Sequence, residues 1–126
     1  DSADRFGASR KQGYATSMQS LTAILMERFE MSWTFLSRFN VKADREAEFL
    51  TLIPHMEMNA AEEVGTLAYK FYRLDAPHAF AVFESFVDEA ADQAHQANPA
   101  SVDIIAKMIE CIDGTYTREY LRHISA

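Results

Sequence analysis

The chain has 126 residues, 48% of them apolar and 25% charged, which is the composition of one globular domain and excludes wholesale disorder. A net charge of -7 argues against binding a nucleic-acid backbone as its main task. The longest apolar run, Ala79–Phe83, is far shorter than the roughly 20 residues of a membrane span, and the single cysteine, Cys111, permits no internal disulfide.

In chain order, residues 1–17 are polar and aperiodic and read as a mobile arm, without the apolar centre of a secretory signal. That points to a cytoplasmic protein. Met18, Leu21, Ile24, Leu25 and Phe29 recur at helical spacing, so a short amphipathic helix is expected. Residues 1–31 therefore form an N-terminal extension, and residues 32–126 form the domain.

From Trp33 the period changes to two. Trp33, Phe35, Ser37, Phe39 and Val41 point one way, and Thr34, Leu36, Arg38 and Asn40 the other, as in a strand. Asp44 can cap a helix whose stripe is Phe49, Leu52, Ile53, Met56 and Ala60. Pro54 is expected to kink or break it near Ile53, at a cost of about 3 kcal/mol. Gly65 is expected to end it with a left-handed cap. Strands 66–73 and 79–86 flank the turn stretch LDAPH and should pair as an antiparallel hairpin. Asp88 caps an alanine-rich helix, Asn98-Pro99 signals another, and 115–124 reads as a last strand.

The order β-α-β-β-α-β predicts an α+β, ferredoxin-like antiparallel sheet with helices on one face. Leu36, Tyr72 and Phe83 fall on the uncovered face, so a homodimer packed sheet to sheet is expected.

Four stretches carry a family likeness: SRFNVKADREAEF (37–49), EEVGTLAYKFYR (62–73), FAVFESFVDEAADQAH (80–95) and the NP cap at 98–99. With these the chain resembles the antibiotic biosynthesis monooxygenase family of dimeric α+β barrels, which includes quinol monooxygenases. The sequence departs from the usual pattern at three places, with Phe86 in place of a tryptophan, Ala100 in place of a histidine, and Ser37 at the asparagine of haem-degrading relatives. The departures at Ser37 and Phe86 argue against haem degradation.

The resemblance implies a pocket between sheet and helices and oxidation of a small quinol-like or polycyclic aromatic by dioxygen, with no cofactor. His95 is then the base, because imidazole changes charge nearest neutral pH; on spacing alone it reads first as a partner for a helix C-terminus, and the resemblance brings the two readings level. Ser37 and Tyr69 would orient a phenolic oxygen, and Phe35, Val82, Glu84 and Phe86 would contact the ring. Glu84, among apolar neighbours, suits a proton acceptor; its structural alternative is an ion pair with Arg38 or Arg73. His55 and His78 are expected at the surface. No HxH, HExxH or paired-cysteine spacing supports a metal, and no glycine-rich phosphate cradle is present. An isomerase or lyase using the same pocket, or a non-catalytic ligand-binding and dimerisation module, are the alternatives.

Overall fold

The computed structural model describes residues 20–24 and 32–124. The chain divides into two units, Asp1–Met31 and Ser32–Ala126. In the first, residues 20–24 are helical, with Leu21 and Ile24 exposed. The expected arm, and the rest of the expected first helix, lie outside the described residues. Among the described residues no helix is long and apolar enough to cross a membrane.

The second unit is a ferredoxin-like α+β fold. Its elements are β1 (Trp33–Val41), α1 (Glu46–Ala61), β2 (Thr66–Arg73), β3 (Ala79–Phe86), α2 (Glu89–Gln96), α3 (Val102–Cys111), β4 (Ile112–Asp113) and β5 (Arg118–Tyr120). The sheet order is β2-β3-β1-β4, and β5 also pairs with β1. All of these pairings are antiparallel.

The period of two in β1 translates directly into burial. Phe35, Ser37, Phe39 and Val41 are buried beneath the helices, whereas Arg38 and Asn40 are exposed. Phe39, Phe49 and Phe80 meet with ring centroids 5.3–6.3 Å apart, and with Val41, Met56, Val82, Met108 and Cys111 they form the core. Burying each large side chain contributes roughly 1.5–3 kcal/mol.

Three local expectations are corrected. Helix α1 continues unbroken through Pro54. Phe49 and Met56, buried on either side of it, anchor both halves, and their burial outweighs the lost hydrogen bond. Gly65 is not a left-handed cap; among the described residues the positive φ angles belong to Gly114 and His78. Its smallness serves instead to let α2 approach, since a Cβ at position 65 would lie 2.6 Å from the Ala91 Cβ. Finally, of the expected strand over 115–124 only β5 forms, and a second short piece, β4, precedes Gly114 where the helix was expected to stop. Asn40 pairs with Asp113 and Ser37 with Arg118, so two residues of β1 face four in the other strand. The extra residues bulge out at Gly114, whose φ is 83°.

Candidate functional site

Between the inner face of the sheet and helices α2 and α3 lies a partly open cavity of about 170 Å³. Its wall combines aromatic and aliphatic surface (Phe39, Phe71, Val82 and Met108 among others) with polar groups: Ser37, Tyr69, Glu84, His95, Tyr116 and Arg118.

Helix α2 delivers the imidazole. The Asp88 carboxylate accepts from the Ala91 N–H at 2.8 Å and fixes the helix start. Ala91 seats against Gly65, and His95, one turn later on the same face, is pressed to the sheet with 4% exposure. Its ring lies 4.8 Å from Tyr69 and 5.3 Å from Phe86.

His95 Nδ1 is 2.7 Å from Glu63 Oε1. Burial pushes the Glu63 carboxyl upward, but hydrogen bonds from Asn98, His95 and Thr66 outweigh it and hold the group below the usual carboxylate range. An ionised carboxylate only accepts, so Nδ1 carries the proton that faces Glu63, and in the neutral imidazole the lone pair is on Nε2. Nε2 is 3.8 Å from Glu84 Oε1.

Glu84 takes the opposite path. Burial, only partly offset by the Arg118 charge, pushes its carboxyl up to about 8. Among the described residues no hydrogen bond reaches this carboxyl, so the protein leaves it open to the cavity. Neither arginine weighed as its partner pairs with it: Arg38 bonds Glu119 on the opposite face, and Arg73 bonds Glu46. Burial and the nearby Glu84 charge push the Tyr69 phenol well above its ordinary value, so it remains an O–H donor.

Five of the seven residues singled out from sequence, namely Ser37, Tyr69, Val82, Glu84 and His95, line the cavity. Phe35 and Phe86 do not. They are fully buried behind it, stacked on each other at 6.1 Å, because the β1–β3 register places them toward the sheet end covered by α2. Phe86 backs the His95 ring and Phe35 lies under Arg118. His55 is exposed, and His78, 44% exposed, meets Glu46 at 3.2 Å. Among the described residues no group of three His, Cys, Asp or Glu side chains is arranged to hold a metal ion.

The model of the family described as antibiotic biosynthesis monooxygenase matches residues 34–107, more than half of the chain. The chain belongs to the antibiotic biosynthesis monooxygenase family. The fold is shared with solved structures of low identity. A conserved protein from Methanosarcina mazei Go1 superposes with a TM-score of 0.70 at 20% identity, covering 77% of this chain and 97% of that one. Rv0793 from Mycobacterium tuberculosis gives 0.67 at 18%, covering 75% and 97%. A structure named as an antibiotic biosynthesis monooxygenase gives 0.69 at 18%, covering 75% and 100%. No curated protein matches in sequence.

In this member of the monooxygenase family, sequence reasoning missed Glu63, Asp92, Tyr116 and Arg118. Glu63 follows α1 and carries no periodic signal. Asp92 sits three residues before His95 on the same helix face, a spacing that was readable. Tyr116 and Arg118 lie beyond the matched residues, in the stretch whose bulge hides its register.

Proposed function

We propose that this chain is a cofactor-independent monooxygenase that oxidises a small quinol-like aromatic with dioxygen. The carrying observation is the Glu63–His95 pair, which holds Nδ1 and leaves Nε2 for the aromatic-walled cavity. An apolar cavity of about 150 Å³ holds a benzene-sized guest. A volume of about 170 Å³ therefore favours one ring, or two fused rings reaching into the mouth, over larger polycycles. His95 Nε2 removes a ring hydroxyl proton, and Ser37 and Tyr69 orient the oxygen. The electron-rich anion transfers an electron to dioxygen, and recombination at a ring carbon forms a peroxide that loses water. One hydroquinone and one dioxygen give one hydroxyquinone and one water.

Oxygen uptake with a panel of hydroquinones and anthrones tests this. His95→Ala is expected to lose about 100- to 10,000-fold in turnover. Unchanged turnover would remove His95 from the role.

One observation favours a second reading. The Glu84 carboxyl, which burial keeps protonated, stands 3.8 Å from His95 Nε2, a pairing suited to moving a proton across a small oxygenated metabolite. Turnover under strict anaerobiosis would mark such an isomerase or lyase. A homodimer through the outer sheet face is part of the proposal, supported by Leu36, Tyr72 and Phe83 on that face.

A further inference from the structure

Arg118 reaches the cavity from β5, beyond the residues that the family model matches. The Asp92 carboxylate, 2% exposed, grips it at both ends: Nη1 donates to Oδ2 at 2.6 Å and Nη2 to Oδ1 at 3.2 Å. Asp92 is itself fixed by Trp33 Nε1 and Gln96 Nε2, each at 3.0 Å. The guanidinium lies over the Phe35 ring, 4.0 Å from its centroid, and Nη1 also donates to the Tyr120 hydroxyl at 3.2 Å. A guanidinium carries five N–H donors, and these bonds use three. Nε–H and the second Nη2–H, which form the side fork of the planar group, bond no described residue.

A cation braced in this way needs no reorganisation when charge develops beside it. Charge balance says which charge that is. Arg118 is already neutralised by Asp92, and Glu63 is ionised beside His95. A permanently anionic ligand would add to this negative surplus. A neutral hydroxyl that hands its proton to His95 leaves an imidazolium paired with Glu63 and an oxyanion facing Arg118.

We propose that Arg118 is a catalytic residue that holds the substrate oxyanion, and that the site takes a neutral phenol or hydroquinone, ionised between His95 and Arg118, in preference to a preformed anion. This rests on the proposed function for the identity of the base and of the ring. In the step, the substrate O–H bond breaks, an N–H bond forms at His95 Nε2, and the electron pair stays on oxygen. No oxidant takes part in it.

The test titrates bound 4-nitrophenol, whose absorbance changes on ionisation, so that oxyanion stability is read without turnover. Wild type is expected to ionise the bound probe at a lower pH than free probe. Arg118→Gln should raise that pH by about one unit or more, with Arg118→Lys in between. In oxygen uptake, Arg118→Gln should lower kcat about 100-fold with KM within about threefold. Melting temperatures accompany both variants, and Arg118→Lys, which keeps a cation beside Asp92, carries the test if the glutamine variant does not fold. A probe that does not bind, or that ionises at the wild-type pH in the folded variants, overturns the proposal. An Arg118-dependent titration with no oxygen uptake from any ring overturns the oxidation reading and leaves this one standing. Wild-type kcat in Arg118→Gln does the reverse.

Discussion

Glu84 sits on the inner face of β3, opposite Phe35 and Tyr69 in the two ladders, with 12% of its side chain exposed. Its proton is held more tightly in the native state than in the unfolded chain, up to about 8 against an ordinary 4.5. Between those pH values the folded form keeps a proton that the unfolded form has lost, so stability falls as pH rises through the window. Glu84→Gln cannot ionise and is expected to flatten this slope. At pH 8.5 the variant should exceed wild type by on the order of a few kcal/mol in urea unfolding, and the gap should close toward pH 4.5. Parallel pH profiles would contradict the shift. Glu63 and Asp92 act in a separate range. Hydrogen bonds overcome burial and depress both, so their contribution is present above their ordinary values and is lost as pH falls through the native ones. Glu63→Gln tests the tautomer: an amide can donate to Nδ1, which puts the ring proton on Nε2 and leaves no lone pair for the cavity. We expect kcat to drop at least about tenfold with KM little changed, by steady-state oxygen uptake.

At the scale of elements, Gly65 links the fold to the site. In Gly65→Ala the new Cβ would stand 2.6 Å from Ala91, so α2 must move away from the sheet and carry His95 with it. The expected result is a loss of about 1–3 kcal/mol in denaturation together with a fall in turnover. Adding Ala91→Gly removes the clash and should restore turnover, while the glycine costs the helix about 1 kcal/mol. If the double variant stays as impaired as the single one, the close approach is not what seats His95. The sequence marked Gly65 as special but not why, because a left-handed cap and a close approach both select glycine. Strand β1 was legible because alternation is a local signal that burial of one face reinforces, and β2 and β3 because two strand-forming runs flank a turn stretch. The break allowed for at Pro54 does not occur, for the reverse reason: whether a helix survives a proline depends on what Phe49 and Met56 pack against, which no local window contains. The divided last strand depends on register with β1, a property of two distant segments. The same limit applies to the site. His95, Tyr69, Ser37 and Glu84 could be placed from parity and resemblance. Their partners, 32 residues away for Glu63–His95 and 26 for Asp92–Arg118, meet only in the folded chain.

For the whole molecule, the sheet has unequal faces. Helices cover the inner one, whereas the outer one presents Tyr72 at 52% exposure beside partly exposed Leu36 and Phe83, with Ala68 and Ala81 lying low between them. Small residues between large ones make a surface into which a second copy can interdigitate, and a two-fold axis lets one patch serve both sides. Charges occupy the same face at Arg38, Lys70 and Glu119, with Arg38 and Glu119 paired at 3.5 Å, an arrangement suited to a polar rim. Light scattering should therefore give a mass near twice 14.3 kDa. Tyr72→Glu, on the edge strand β2 and away from the core, should shift that mass toward one chain at micromolar concentration while leaving the circular dichroism spectrum unchanged. Val82→Lys, on the inner face, would disturb the core instead and serves as the contrast. A wild-type particle of 14.3 kDa across the accessible concentration range would show that this face is solvated and that the cavity works in a single chain.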